Sequence, residues 1–435
     1  MKPTESATGH QLAQSFAWLE RAQRVIPAAT QTLSKRPGQF ARGMTPVFLR
    51  EGSGCHVTDV DGHTYLDYSM ALCAVTLGYN YPSVTQAIER QLRAGTLFSL
   101  GHPLEVELAE RLVEIIPCAE MARFAKNGSD VTSGAVRLAR AHTGRDRIAI
   151  CGYHGAQDWY IGTTSWHAGV PQATRELSHS FDYNKIESLA ALLEQHPGQF
   201  AAVILEPVGV IPPQGRFLQD VVELARHHGA LVIFDEIVTG FRHRLGGAQE
   251  LFGVTPDLAC FGKGMANGMP LAALVGRRDL LQELDHIFLS YTFGGETLSL
   301  AAAMATIDVM ASRNVIAHLW SVGEPLQQGC ARLIEASGLS GRVQVLGYPP
   351  RHVLRFLDAE GRESLPLKTL FLQETIKRGI LTMGAHNLSF SHTPADITRT
   401  LEAYREVFQI LRDAIGGRME ALLEVDVVEP VFRKA

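Results

Sequence analysis

Five short apolar runs, Arg147–Cys151, Ala201–Leu205, Ala230–Phe234, Leu258–Phe261 and Leu271–Val275, are separated by stretches of helical periodicity such as Ile186–Glu194 and Leu218–His228. Runs that are apolar at almost every position, rather than at alternate ones, suit strands covered on both faces. Their alternation with helices predicts an α/β architecture with a mostly parallel sheet. One further helix, Val131–Ala141, carries Val131, Ala135, Leu138 and Ala139 on a single face. With 435 residues the chain is long enough for more than one domain. The pattern differs at both ends. Phe16, Leu19, Ala22 and Ile26 mark a helix, and Val57–Val60 followed by Asp61-Gly62 and Thr64–Leu66 marks a hairpin. Beyond about residue 320 we expect helices near Gln327–Ala336, Leu367–Lys377 and Asp396–Ile415, with a strand near His352–Phe356. The organisation expected is a large domain over 76–322. A smaller α+β lobe is built from the 1–75 segment and the 323–435 region.

Composition narrows the function classes. The chain is 46% hydrophobic with a formal charge of −5, so nothing in it calls for nucleic acid or a membrane. Its six cysteines lack CxxC spacing, which suits reduced thiols in a cytoplasmic protein. Met1–Leu19 is polar and lacks the pattern of a secretory signal. There is no GxxxxGK[ST], HExxH or GxSxG, and His227-His228 has no partner at metal spacing, so no metal is expected.

The residues with chemical potential follow the apolar runs. Asn127-Gly128-Ser129 follows Arg123-Phe124-Ala125 and opens a helix; Tyr153-His154-Gly155, Glu206, Asp235 and Lys263 each end or follow a run. Ligands of open α/β sheets bind outside the carboxyl ends of the strands, so one crevice gathers these segments. Gly128-Ser129-Asp130 reads either as a phosphate cradle of backbone N–H groups or as an ordinary helix cap. Tyr153 reads as a ring to lay on a cofactor or as a half-buried loop residue, and His154 as a ligand or a satisfied histidine. Asp235 suits a cationic ring nitrogen, because a buried carboxylate needs a cation or several donors; alternatively an acid here caps the next helix, a place Glu236 fills equally well. Lys263 stands between two glycines after an apolar run, where a carbonyl cofactor can approach the backbone. Together Asp235 and Lys263 fit pyridoxal phosphate (PLP), held as a Schiff base by the lysine.

These segments resemble the class III, fold-type I PLP-dependent aminotransferases, and among them the glutamate-1-semialdehyde aminomutases. The resemblance rests on Asn127-Gly128-Ser129-Asp130, Gly152-Tyr153-His154-Gly155, Leu205-Glu206-Pro207-Val208, Phe234-Asp235-Glu236-Ile237-Val238-Thr239-Gly240-Phe241-Arg242 and Gly262-Lys263, in that order. It covers about Ile26 to Phe408. It implies a seven-stranded, mostly parallel sheet and catalytic roles for Lys263, Asp235 and Glu206. Gly128 and Ser129 would hold the phosphate, Tyr153 and Ile237 would flank the ring, and His154 would line the cofactor. The resemblance also makes Thr292, in Tyr291-Thr292-Phe293-Gly294-Gly295, a ligand reaching the neighbouring subunit's phosphate, which implies a homodimer with its active site at the interface. Arg36, Trp159 and His386 are expected substrate contacts; Arg242 and Arg244 either bind a donor carboxylate or form surface ion pairs. The aminomutase motif Ser-Pro-Val-Arg is replaced by Thr32-Leu33-Ser34-Lys35-Arg36-Pro37, and Phe293-Gly294-Gly295 is closer to ordinary transaminases. The implied activity is transfer from an amino-acid donor to a carbonyl acceptor; intramolecular aminomutation or epimerisation are the alternatives.

Overall fold

The computed structural model describes residues 12–430. Expectations for 1–11, part of the polar N-terminus, and for 431–435 lie outside the described residues. The chain divides into two compact units. One takes the chain up to Leu72, Leu77–Tyr81 and Ala317 onward; the other takes Cys73–Thr76 and Pro82–Ile316.

The first unit begins with the helix Ala13–Val25 and an antiparallel meander of β1 (Leu49–Ser53), β2 (His56–Asp59) and β3 (Thr64–Asp67). Asp61-Gly62 makes the β2–β3 turn, with Gly62 at φ 95°, where a side chain would be strained. The Asp59 carboxylate accepts the N–H groups of Asp61 and His63 and closes that turn.

The second unit is built on one seven-stranded sheet. Its strands are β4 (Met121–Ala125), β5 (Arg147–Cys151), β6 (Ser178–Ser180), β7 (Phe200–Leu205), β8 (Leu231–Asp235), β9 (Leu258–Phe261) and β10 (Ala272–Gly276), in the order β4-β10-β9-β8-β7-β5-β6. Every neighbouring pair is parallel except those of β10, which runs against both β4 and β9. The reversal has a simple cause. The connection Gly262–Leu271 holds only a short 3-10 turn and no crossover helix, so the chain returns antiparallel. Strands β7 to β10 are buried at every residue, the physical origin of their unbroken apolar sequence. Truncating one of these side chains, for example Ile204→Ala, should cost ~2–5 kcal/mol. The helix Gly128–Thr143 lays Val131, Ala135, Leu138 and Ala139 on this core and ends at Gly144, φ 65°.

The first unit resumes inside the helix Val315–Ala336. That helix begins earlier than the expected Gln327, running through Pro325 and past Gly323. Gly323 is a close-packing residue rather than a helix stop, since a Cβ there would collide with the Pro349 carbonyl. Strands β11 (Val343–Tyr348), β12 (Arg351–Phe356), β13 (Ile380–Leu381) and β14 (Ala385–Asn387) follow; β13 joins β3 in parallel and β11-β12-β14 form a separate antiparallel sheet. The helices Leu365–Lys377 and Pro394–Asp413 complete the unit. No single helix among the described residues is long and apolar enough to cross a membrane.

Candidate active site

Because β4, β5, β7, β8 and β9 run in one direction, the segments that follow them leave the sheet at the same edge. Asp235 is the last residue of β8 and is 5% exposed. Its Oδ2 lies 2.9 Å from His154 Nδ1, and its Oδ1 accepts the Ile237 N–H at 3.1 Å. Glu236 has other partners: its carboxylate accepts the Ala248 and Gln249 N–H groups at 2.8 and 2.9 Å and the Thr239 hydroxyl. Burial pushes the Glu236 carboxyl up to about 7. Glu236 therefore takes the helix-capping work and Asp235 is left for the crevice.

Asp235 pairs in register with Cys260 on the neighbouring β9, and β9 leads through Gly262 to Lys263. Lys263 opens the 3-10 turn with φ 42°, a left-handed conformation that costs strain in any residue but glycine. Ile237 fills the space between glycines: a Cβ on Gly128 or Gly262 would stand 3.2 or 3.1 Å from its Cδ1. On the far side of Lys263, a Cβ on Gly264 would come within 2.5 Å of Thr76 Oγ1.

At β4 the two readings of Asn127–Asp130 are both realised. Asn127 and Asp130 close a capping box, each accepting the other's N–H at 3.1 Å. The N–H groups of Gly128 and Ser129 belong to the first turn and have no intrahelical acceptor, which suits an anion. Ser129 Oγ accepts the Ala156 N–H at 3.0 Å, and Gly155, at φ 110°, has no Cβ to collide with it. Glu206 follows β7 and accepts the Tyr153 N–H at 3.0 Å. Tyr153 is half-exposed; burial first, then the charges of Asp235 and Glu206, push its phenol up. Gly128, Ser129, Tyr153, His154, Glu206, Asp235, Ile237 and Lys263 thus all lie in the second unit, at one edge of its sheet. Thr292 is exposed in a turn whose Tyr291 hydroxyl donates to the Asp130 carbonyl at 3.1 Å.

Two expected substrate contacts are buried and hydrogen-bonded within the protein. His386 is fully buried in the first unit, with Nε2 2.7 Å from the Tyr404 hydroxyl and its ring against Tyr68 and His352. Trp159 is buried in the second unit, its Nε1 donating to Ser133 Oγ at 2.8 Å. Arg242 is likewise no surface clamp: it is fully buried and donates to the Cys73 carbonyl and Thr76 Oγ1. Arg36 lies in the first unit, 3.0 Å from Glu429, beside a cavity of about 620 Å³ that Arg24 and Arg42 also line. Cys55, His56 and Asp396 have ligand atoms within 4.8 Å of one another. Burial raises the Cys55 thiol to about 12, and Asp396 is engaged in a capping box with Thr393.

Sequence reasoning missed Thr132 and Ser133, which hold His154 and Trp159 from the helix Gly128–Thr143. Their signal is legible afterwards: two hydroxyls three and four residues after Ser129, beside the buried Val131, Ala135 and Val136. The Arg242–Thr76 contact, across 166 positions, leaves no such signal.

The donor set fits PLP. A buried carboxylate at a strand end suits a cationic ring nitrogen, a lysine follows the adjacent strand, and a glycine-opened helix start suits a phosphate. Residues 39–415 match the family Aminotransferase class-III. The chain is similar to the 3-aminobutyryl-CoA aminotransferase of Cloacimonas acidaminovorans, at 36% identity over 91% of this chain and 96% of that protein. It is 34% identical to the glutamate-1-semialdehyde 2,1-aminomutase of Chloroherpeton thalassium, over 90% of this chain and 97% of that one. Among solved structures, the PLP form of the FumI protein from Sphingopyxis sp. MTA144 superposes with a TM-score of 0.86 at 29% identity, covering 93% of this chain and 97% of that chain.

Proposed function

The chain belongs to the class-III aminotransferase family, and on that premise we propose that it is a transaminase taking its amino group from an external amino-acid donor and giving it to an aldehyde or ketone. One observation carries the reading: Asp235 and Lys263 stand at the carboxyl ends of neighbouring parallel strands, a buried carboxylate beside a glycine-fenced lysine. The cofactor is pyridoxal phosphate, which when bound supplies an electron sink for the substrate's Cα. Asp235 binds the ring nitrogen and keeps it protonated. Gly128 and Ser129 hold the phosphate with N–H and hydroxyl groups. Ile237 and Tyr153 would flank the ring. Lys263 Nζ would hold the cofactor and, once displaced by the incoming donor amine, would be free to move the proton at the substrate's Cα. Glu206 orients Tyr153 by accepting its N–H, and in this reading its carboxylate would face the substrate.

Two departures from the aminomutase pattern support external transfer. Phe293-Gly294-Gly295 replaces the aminomutase sequence, and Arg36, in the stretch where aminomutases hold a substrate carboxylate, pairs with Glu429. A homodimer is part of the reading. Phe98, Leu100, Val106, Phe288 and Phe293 are exposed in the second unit, an apolar display that a second copy would cover, with Thr292 beside it reaching the partner's phosphate. The six cysteines are buried and, among the described residues, none is in a disulfide, which supports a reducing, cytoplasmic setting.

The test is the absorbance spectrum of the purified protein before and after L-glutamate and L-alanine. A cofactor band converted by donor alone, and restored by a carbonyl acceptor, is expected. A band unmoved by any donor, with an amino group transferred within one substrate, would assign the chain to the aminomutases instead.

A further inference from the structure

One side-chain cluster of the first unit gathers a sulfur, an imidazole and a carboxylate at a spacing that suits a metal. We propose that Cys55, His56 and Asp396 bind a zinc-like divalent transition-metal ion, which ties the β1–β2 turn to the start of the helix Pro394–Asp413. All three residues lie in the first unit, and the proposal does not depend on the amino-transfer reading.

The hairpin turn brings two of the ligands together. Ser53 pairs with His56 across β1 and β2, which leaves Gly54-Cys55 as a two-residue loop with Gly54 at φ 59°. Cys55 Sγ then stands 3.5 Å from His56 Nδ1. Asp396 comes from 341 positions further along the chain, its Oδ2 lying 3.7 Å from Sγ and its Oδ1 4.0 Å from His56 Nε2. Ligand atoms of the three residues fall within 4.8 Å of one another. Bonds of ~2.0–2.3 Å to zinc put the corners of a tetrahedron about 3.3–3.6 Å apart. Sulfur and carboxylate already stand near that spacing. The imidazole, on a side chain 39% exposed, has room to turn a nitrogen inward.

The surroundings suit an ion of this class. The Thr393 N–H and hydroxyl hold Asp396 through Oδ2 at 2.8 and 2.7 Å, an outer shell that orients the carboxylate and leaves Oδ1 for the metal. A thiolate beside an imidazole selects zinc over magnesium or calcium, which prefer oxygen. The thiol proton passes to the buffer as the sulfur takes the ion. Thiolate and carboxylate then neutralise the divalent charge, so the positive end of the helix does not oppose it. Water completes the tetrahedron from the solvent side of His56. With Cys55 and His56 adjacent and Asp396 so distant, the sequence carries no metal-ligand spacing to read.

The experiment uses the full chain with its cofactor, stripped by a chelator, then titrated with zinc by calorimetry and with cobalt by absorbance against the metal-free protein. One ion per chain should bind, and cobalt should produce a thiolate-to-metal charge-transfer band. Cys55→Ser should lose that band and weaken zinc binding by at least the ~10–100-fold that loss of an outer-shell partner costs. His56→Gln, at a half-exposed position, should weaken zinc similarly and keeps the test open if Cys55→Ser fails to fold. Rising zinc should raise the melting temperature of the parent and leave that of His56→Gln unmoved. No saturable binding by the parent, cobalt bound without the thiolate band, or equal zinc affinity in parent and His56→Gln would each overturn the proposal.

Discussion

The carboxylates of Asp235 and Glu236 are adjacent in the chain yet belong to different constructions: Asp235 is held by His154 and the Ile237 N–H, whereas Glu236 caps the helix Ala248–Phe252 through the Ala248 and Gln249 N–H groups. Neighbouring strand-end residues point to opposite sides, so one acid serves the crevice and the other the scaffold.

Substitution should separate these roles. Asp235→Asn leaves the fold intact but removes the charge that keeps a ring nitrogen protonated, and turnover should fall at least 100-fold with the melting temperature nearly unchanged. Glu236→Gln should do the reverse, keeping turnover within a few-fold and lowering stability by ~1–3 kcal/mol as an amide N–H meets backbone donors. Steady-state rates and thermal melts on both variants decide it; equal turnover loss from the two would refute the division. Lys263→Ala should retain the fold and lose turnover altogether.

The pH dependence of stability follows from Glu236. Burial raises its folded value from 4.5 to about 7. A carboxyl raised on folding contributes stability that is complete below about 4.5 and is lost as pH rises through about 7. The loss is on the order of 3 kcal/mol across that window. Glu236→Gln should flatten this slope in urea titrations between pH 5 and 8, and an unchanged slope would place the titrating group elsewhere.

Three buried histidines of the first unit carry the opposite dependence. His352 and His392 are fully buried and burial lowers each from 6.5 to about 4; His386, beside them, is lowered well below its usual value. A base depressed on folding stabilises fully above 6.5 and loses that contribution as pH falls toward 4. Acid should therefore melt the chain earlier than carboxylate titration alone would. His392→Phe, stacked on Tyr68 as the imidazole is, should lessen the drop in melting temperature between pH 6.5 and 4.5.

What could be read in advance divides along physical lines. The sheet was legible because burial on both faces makes apolar runs of β7 to β9, and Asp235 and Lys263 stood out by ending such runs. The direction of β10 depended on what its connection lacks. The meander turn was visible in Asp61-Gly62, while β11, half-buried and interrupted by Gly347, gave no alternation to read. The burial of Trp159 and His386 could not be read, because aromatic and imidazole groups serve both cores and pockets, and their partners Ser133 and Tyr404 lie far off in the sequence.

Gly155 tests the phosphate cradle from the scaffold side. Its φ of 110° strains any side chain, and a Cβ would meet Ser129 Oγ, Cβ and Cα. Gly155→Ala should displace Ser129 and weaken binding of PLP and of inorganic phosphate alike, by tenfold or more. A variant that keeps parental affinity for both would remove Ser129 from the cradle.

The last prediction concerns strain. Met70, Ala71, Leu72 and Cys73 have φ of 42°, 48°, 59° and 73°, a full left-handed turn without a glycine. Each such residue costs roughly 1–2 kcal/mol. The turn persists because Asp67 accepts the Ser69 and Met70 N–H groups and the Tyr79 hydroxyl, which in turn accepts the Ala71 N–H at 3.0 Å; at its other end the Cys73 carbonyl accepts from the buried Arg242. Because glycine adopts this conformation freely, Ala71→Gly should stabilise the chain by ~0.5–1 kcal/mol, the opposite of what glycine does in a right-handed helix. Chemical denaturation measures it directly. If the variant is instead destabilised by about 1 kcal/mol, as for an ordinary helical alanine, the turn is not left-handed in solution. Turnover should be followed on the same samples, since Cys73–Thr76 leads from this turn to Thr76, which packs on Gly264 beside Lys263. A stabilised variant with slower turnover would mean that strain in the turn contributes to placing the lysine.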